Sequence, residues 1–213
     1  MAVDTHDVNG PDGRGAGGGG DAVARPVGAA AVRRAVLEAA AARFAAEGPD
    51  ASLRDIAEDA GVNLGLIHRH LGNKDDLLRA VLEHEVERGL GAISEADDVA
   101  DAVRRMFTGT GGESRYVRIV AWLLLRDPDR FRHQERFPGM ALLRGLPDPG
   151  GDAAPPGPDA ERDARLVVAM AALYGWTVFG PQLRASFGVP DGDDEALRER
   201  MVQVLTDLLT PPS

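Results

Sequence analysis

Apolar residues recur three, four and seven positions apart along most of the chain, which is the spacing of one face of an α-helix. The first such stripe is formed by Val32, Val36, Ala40 and Phe44, and it ends at Gly48, which is followed by a proline. Similar stripes return up to the last twenty residues. The pattern predicts an all-α protein.

Two short helices are predicted directly after the first stripe. Ser52 followed by Asp55 is a capping-box pattern, in which the serine hydroxyl accepts a backbone amide at the start of a helix. Ile56 and Ala60 share a face of this helix, and Gly61 follows where a chain leaving a helix often needs a left-handed residue. The helix therefore ends after about two turns.

The second short helix is predicted to begin at Asn63, a favoured N-cap residue. Ile67 and Leu71 lie four positions apart on its inner face. The other faces carry Leu64, Gly65, His68 and Arg69. This helix therefore presents an outward side to solvent or to a partner.

A longer helix should follow at once, because Asn73 and Asp76 repeat the capping pattern around Lys74. Its buried stripe consists of Leu77, Leu78, Val81 and Leu82. Two short helices on a tight turn, beside the start of a longer one, have the layout of a DNA-reading head.

These motifs together resemble the TetR family of bacterial transcriptional regulators, and the resemblance covers Pro26 to about Leu90. Their fixed spacings across four helices make the pattern more specific than a single short motif. Family members commonly carry Thr at the positions of Ser52 and Leu66, Tyr at His68 and Phe at Leu71. These differences concern DNA contacts more than the fold.

The resemblance implies a role for individual residues of the head. Arg54 matches a position that can reach a base edge, where arginine is well shaped for guanine; the alternative is an ion pair with Glu58, four residues on. Apolar side chains and a glycine at the start of the recognition helix can approach thymine methyls, and other polar positions hold phosphates. The expected DNA contacts are Ser52, Arg54, Asn63, Leu64, Gly65, Leu66, His68, Arg69, His70 and Lys74.

The distribution of charge adds little to the prediction of a DNA-binding head. The chain has a net charge of −10, but the segment 25–75 contains seven basic and seven acidic residues and is neutral. Lys74 is the only lysine of the chain, and it stands at the phosphate-facing position that the resemblance implies. A neutral head predicts modest non-specific affinity for DNA, because few phosphates can be neutralised.

The sequence divides into three parts. Residues 1–24, rich in Gly and Asp, are expected to be a disordered tail. Residues 25–73 are assigned to the helix-turn-helix domain, and residues 74–213 to a helical regulatory and dimerisation domain. Within the latter, helices are predicted over 99–107, 115–126 and 128–146, and the Pro/Gly-rich loop 146–160 is expected to be mobile.

The stretch from Leu166 to Leu183 contains no charged residue, which is near the lower limit for a membrane-spanning helix. Gly175 and Pro181 interrupt it, so a buried helix is the better interpretation. A helix that is apolar on all sides must be covered on all sides, and the last helix is also apolar on one face. The two helices are expected to pair in a four-helix dimer interface, as the resemblance also implies. The expected interface residues are Leu173, Trp176, Leu197, Met201, Val204, Leu205 and Leu208.

The resemblance implies a small-molecule pocket in the central helices. Pockets are mostly apolar with a few polar anchors, so aromatic and basic residues of this region are candidates, although ordinary core packing is the alternative for each of them. The candidate lining residues are Phe107, Tyr116, Arg118, Trp122, Trp176 and Phe179.

The sequence contains few residue patterns that would indicate a catalytic site. The absence of Cys excludes disulfides, thiol catalysis and Cys-type zinc sites. His68 and His70, with Glu83 and His84, could be considered as metal ligands, but helix positions i and i+2 diverge by about 200°. No phosphate-binding loop, nucleophile elbow or zincin motif occurs. We therefore expect neither an enzyme nor a bound cofactor.

The function that the resemblance implies is that of a homodimeric repressor, which binds a near-palindromic operator in double-stranded DNA and is released by an unknown small molecule. No secretion signal opens the chain, so a cytoplasmic protein without a membrane partner is expected. Two alternatives remain: a DNA-binding regulator that binds no ligand, and a metal-dependent enzyme.

Overall fold

A computed structural model describes residues 26–109, 114–126, 138–151, 153, 157, 159–190 and 194–210. Within these residues the secondary structure is entirely helical, as predicted. The helices in chain order are α1 (Ala29–Glu47), α2 (Leu53–Asp59), α3 (Leu64–Leu71), α4 (Lys74–Ser94), α5 (Val99–Gly109), α6 (Arg115–Arg126), α7 (Pro138–Gly145), α8 (Ala160–Ser186) and α9 (Asp194–Leu209).

The caps of α2 and α3 lie where the sequence places them. Ser52 Oγ accepts hydrogen bonds from the amides of Arg54 and Asp55, at 3.2 and 3.4 Å. Asn63 Oδ1 accepts one from the Leu66 amide at 3.0 Å. Between the helices Gly61 has a φ of 65°, which is left-handed backbone. The helix-turn-helix is therefore formed by local hydrogen bonds.

A reciprocal capping box starts α4. Asn73 Oδ1 accepts hydrogen bonds from the amides of Asp75 and Asp76, at 2.8 and 3.0 Å, and Asp76 Oδ2 accepts one from the Asn73 amide at 3.1 Å. The cap orders the junction between the reading helix α3 and the connecting helix α4.

Replacing Asn73 by alanine is expected to lower the free energy of unfolding by about 0.5 to 2 kcal/mol, because two amides at the start of α4 lose their acceptor. Urea denaturation followed by circular dichroism measures the loss. Asn73→Asp is the matched control and should keep most of the stability, because aspartate caps equally well. Equal midpoints for the alanine variant and the unmodified protein would contradict the assignment.

The core of the head extends beyond the first three helices. Phe44 of α1, Ile56 of α2 and Ile67 of α3 are fully buried together with Leu77 of α4 and Ile119 of α6. The division between residues 73 and 74 remains a prediction, but the side chains that close this core come from both sides of it.

The head (α1–α3) makes a second contact with the rest of the chain (α4–α9, here called the body). This contact lies at the turn after α1. Trp122 of α6 packs against Gly48, whose φ is 85°, and a Cβ added there would lie 3.1 Å from the indole ring. Arg126 Nη1 donates to Asp50 Oδ2 at 2.5 Å, and its guanidinium lies 5.5 Å from the centroid of the Trp122 ring. Helix α6 therefore fixes the orientation of the α1–α2 turn.

The second core joins α5, α7, α8 and α9. Its most deeply buried side chains are Phe107, Leu143 and Leu166, packed with Leu205 of the last helix. The predicted helices over 99–107 and 115–126 are confirmed as α5 and α6.

Several predictions fall wholly or partly outside the described residues. The tail 1–24 is one of them. Of the helix predicted over 128–146, the described part is α7, which ends at Gly145. The loop predicted over 146–160 is described only at 146–151, 153, 157 and 159–160, and α8 starts at Ala160.

Helix α8 is longer than the predicted apolar stretch and is, by length and composition, the one helix of the described chain that could cross a membrane. Of its most apolar window, 39% is buried inside the protein. The inward face includes Leu166, Met170 and Leu173, whereas Val167 and Phe179 lie on an exposed face. One face of α8 is therefore covered by this chain and the other is not.

Candidate DNA-binding surface and central cavity

The exposed surface of α2 and α3 includes several of the predicted DNA contacts. Ser52, Arg54, Gly65, His68 and Arg69 are exposed. Lys74 and His70 are half-buried. These residues are therefore at least partly accessible to a partner.

The cations of this surface are unpaired. Within the described residues, Arg54, Arg69 and Lys74 make no ion pair, so the alternative pairing of Arg54 with Glu58 is absent from the structure. Unpaired cations on an exposed surface can interact with phosphates or base edges without first losing a carboxylate partner.

Acidic residues of the head are neutralised by a different arginine. Arg43 of α1 donates to Asp59 Oδ2 at 2.6 Å and to Glu47 Oε1 at 2.7 Å. Hydrogen bonding from Arg43 also holds the pKa of Asp59 below its usual range. The head is neutral in sum, but two of its carboxylates are occupied by Arg43 while Arg54 and Arg69 remain available.

The apolar candidates are less accessible than expected. Leu64 and Leu66 are half-buried and pack against the core of the head. The side-chain oxygen of Asn63 is already the cap of α3. Gly65 is exposed in the first turn of α3, and a Cβ there would lie 3.2 Å from Asn63 Oδ1. Close approach of a partner to α3 is thus easiest over Gly65.

The ring of His68 folds back over the end of α3, where its Nδ1 lies 3.2 Å from the carbonyl oxygen of Gly72. With Nδ1 engaged in this way, Nε2 is the ring atom left for a phosphate. Among the residues that the structure describes, no three His, Asp or Glu side chains converge on a possible metal position.

Two further basic residues of the head were not among the DNA contacts expected from the sequence. Arg33 and Arg34 are exposed on the first turns of α1, and neither forms an ion pair in the described part of the chain. The segment just before α1 reaches the helix-turn-helix, since Pro26 Cδ would lie 3.8 Å from a Cβ added at Gly61. The sequence feature that could have identified them is the pair of adjacent arginines, which falls between the apolar positions Val32 and Val36 of the first stripe.

A cavity of about 830 Å³ lies where α1 and α4 meet α5, α6, α7 and α8. Tyr116 and Arg118 line it, as predicted from sequence, and Tyr174 and Met170 of α8 lie opposite. Burial raises the pKa of Tyr174 to about 12 and also raises that of Tyr116. Both phenols therefore remain protonated at neutral pH.

The other candidate lining residues lie elsewhere. Phe107 is fully buried in the second core, Trp122 is packed on Gly48, and Trp176 is a buried core residue. Phe179 is 59% exposed on the surface. For Phe179 the reason is the rotation of α8, which turns Met170 and Tyr174 toward the cavity and Phe179 away from it.

An ion cluster joins α1 to the wall of the cavity. Arg115 Nη1 of α6 donates to Glu38 Oε2 at 2.8 Å, and His84 Nε2 of α4 lies 3.3 Å from Glu38 Oε1. Arg88 Nη1 is 3.0 Å from Glu85 Oε1 and 3.6 Å from Glu38 Oε1. The hydrogen bond from Arg115 lowers the pKa of Glu38. Glu38 thus ties the head to α4 and α6 of the body.

The residues expected at a dimer interface separate into two sets. Leu173, Trp176 and Leu205 are buried in the core of this chain and have no surface for a partner. Leu197, Met201 and Leu208 are half-buried, and Val204 is exposed. Helical period alone could not tell which apolar face of α8 and α9 turns inward. The exposed large apolar residues of α8 are Val167, Val168, Phe179 and Leu183.

Comparison with known proteins gives consistent results. Residues 36–81 match the family model described as bacterial regulatory proteins, tetR family. The HTH-type transcriptional repressor Rv3405c of Mycobacterium tuberculosis is 35% identical over 189 residues, which span 87% of this chain and 93% of that protein. The HTH-type transcriptional repressor LfrR of Mycolicibacterium smegmatis is 41% identical over 71 residues, covering 33% of this chain and 37% of its own.

Among solved structures, a candidate transcriptional regulator of Streptomyces coelicolor, SCO4942, superimposes with a TM-score of 0.61 at 19% identity. The alignment covers 85% of this chain and 99% of that one. The likeness extends to the whole arrangement of a helix-turn-helix head on a helical body.

Proposed function

Because the chain belongs to the TetR family and is therefore a DNA-binding transcriptional regulator, we propose that it is a homodimeric repressor of a near-palindromic operator, released by a small molecule. Its site of action would be the cytoplasm. Family membership excludes the metal-dependent enzyme considered above.

The observation that carries the proposal is the set of unpaired cations around the reading helix. Arg54 and Arg69 are exposed on α2 and α3, as is Gly65, and Lys74 is half-buried at the start of α4. In this arrangement α3 enters the major groove, Arg54 contacts a base edge, and Lys74 contacts a phosphate. Ser52, His68 and His70 are further phosphate contacts in the same pose, and Arg33 and Arg34 extend the cationic edge along α1.

Dimerisation is supported by the uncovered face of α8. Val167, Val168, Phe179 and Leu183 form an exposed apolar stripe along this helix, and Val204 is exposed on α9. An apolar stripe of this length is typical of a protein–protein contact. A twofold pair of heads would then place two copies of α3 about 34 to 36 Å apart, in successive major grooves.

Release by a ligand is supported by the position of the cavity. Its wall includes Ala45 of α1 and Glu85 of α4, so it touches both the head and the helix that joins head to body. A ligand that binds better when α4 is displaced would change the spacing of the heads and weaken operator binding.

Selection of bound duplexes from a random DNA pool tests the proposal. The unmodified protein should enrich an inverted repeat. Arg54→Ala should relax the sequence at one position of each half-site, at a cost of about 1 to 3 kcal/mol. Lys74→Ala should weaken all duplexes alike and reduce the salt dependence of binding by about one unit per head.

Arg104→Ala is the matched control, because Arg104 is exposed on α5 and belongs neither to the head nor to the residues proposed for the dimer interface. It should leave enrichment unchanged. If the folded protein enriches no duplex, or if Arg54→Ala and Arg104→Ala behave alike, the proposed reading surface is wrong.

A further inference from the structure

The charge on the cavity wall is opposite to that of the whole protein. Arg88, Arg115 and Arg118 line the cavity, whereas Glu85 is the one acidic side chain among its described lining residues. Glu85 is paired with Arg88 at 3.0 Å, and Arg115 is paired with Glu38 of α1 at 2.8 Å. Among the described lining residues, Arg118 is therefore the cation that no carboxylate neutralises, in a chain with a net charge of −10.

Two of these arginines are placed to act together. Arg115 and Arg118 are three positions apart on α6, which puts them on neighbouring positions of one helix surface. Within the described residues the guanidinium of Arg118 makes neither a hydrogen bond nor an ion pair. An anionic group of a ligand would therefore find one arginine free and a second beside it.

The rest of the cavity is suited to the apolar body of a ligand. Met106, Met140 and Met170 line it, and methionines adapt readily to different apolar shapes.

We propose that the cavity binds an amphipathic organic anion, with its acidic group on Arg115 and Arg118 and its apolar body among the methionines. The inference rests on the proposed ligand response and specifies the chemical class of the ligand.

The same arginine links the ligand to the head. Arg115 holds Glu38 of α1 at 2.8 Å, so an anion at Arg115 competes with Glu38 for the guanidinium. Each molecule of ligand bound in this way weakens the contact between α1 and α6. Because coupling is reciprocal, removing the carboxylate of Glu38 should strengthen ligand binding.

Calorimetric titration of the full-length protein with decanoate, decanol and decylamine tests the ligand class, with the two ionic probes below their micelle concentrations and decanol below its solubility limit. The three probes share an apolar chain and differ in the charge of the head group. Decanoate should bind about tenfold or more tightly than either of the others, as a charge-assisted hydrogen bond implies. Equal affinities, or a preference for decylamine, would overturn the proposal.

Variants locate the site. Arg118→Gln and Arg115→Gln should each weaken decanoate binding by about tenfold, and Arg200→Gln, outside the cavity, should not change it. Glu38→Gln should strengthen decanoate binding by about threefold to tenfold. If decanoate binds but neither arginine substitution weakens it, it binds elsewhere and the assignment is wrong; if only Glu38→Gln has no effect, the link to the head is wrong.

A DNA-binding measurement distinguishes failure of the proposed ligand class from failure of the repressor proposal. A selected duplex should lose affinity on addition of decanoate, and this loss should be smaller in Glu38→Gln. If a duplex is selected but decanoate neither binds nor releases it, the repressor proposal stands and the ligand class is wrong. If no duplex is selected while decanoate binding depends on Arg115 and Arg118, the ligand class stands and the repressor proposal is wrong.

Discussion

Phe44→Ala is expected to lower the free energy of unfolding by about 3 to 5 kcal/mol, the range for removing a buried phenylalanine side chain from a packed core. Phe44 is 0% exposed and belongs to the cluster that joins the head helices to Ile119 and Leu123 of α6. The cavity left by the ring lies between head and body, so both should lose stability together. Urea denaturation followed by circular dichroism and tryptophan fluorescence measures the change.

Val27→Ala is the control for this experiment, because Val27 is 87% exposed just before α1 and its truncation should change the midpoint little. Phe44→Leu should lie between the alanine variant and the unmodified protein. A loss below about 1 kcal/mol for Phe44→Ala would mean that α6 does not close the core of the head as described.

Phe179→Arg is expected to convert the proposed dimer into a monomer. The dissociation constant of the dimer should rise by about a hundredfold or more. The substitution places an uncompensated charge in the middle of the exposed apolar stripe of α8, and a buried charge without a partner costs several kcal/mol. Sedimentation velocity over a concentration series measures the dissociation. Affinity for an inverted-repeat duplex should fall in parallel, because the two heads no longer bind as one unit.

Val27→Arg is the matched control for the charge itself, since it adds the same side chain at an exposed apolar position near the head. This variant should remain dimeric. If Phe179→Arg stays folded and dimeric at the lowest concentration measured, the subunits pair through another surface, and the stripe on α8 has a different partner.

The local features of the head could be predicted because they depend on residues close together in the chain. The capping of α2, α3 and α4 by Ser52, Asn63 and Asn73 uses hydrogen bonds that span two or three residues. The left-handed backbone of Gly61 could also be predicted, because it depends only on the residues at the adjacent end of α2. The family resemblance was also carried by such motifs, and the comparisons confirm it.

The long apolar helices were predicted less completely. Their existence follows from helical period, but α8 has more than one apolar face, and the period does not say which face turns inward. Leu173 and Trp176 were expected at a partner surface and are buried in this chain, whereas Phe179 was expected in a pocket and is exposed. Only packing against α5, α6 and α9 decides that rotation.

The sequence by itself therefore determined the helical class, the helix-turn-helix and its caps, since each rests on contacts within a turn or two of helix. The tertiary structure decided how the head is attached. Glu38 and Arg115 are 77 positions apart, and Asp50 and Arg126 are 76 apart, yet each pair forms an ion pair between α6 and the head. Such pairings depend on how whole helices pack, and no periodicity within a single helix encodes them.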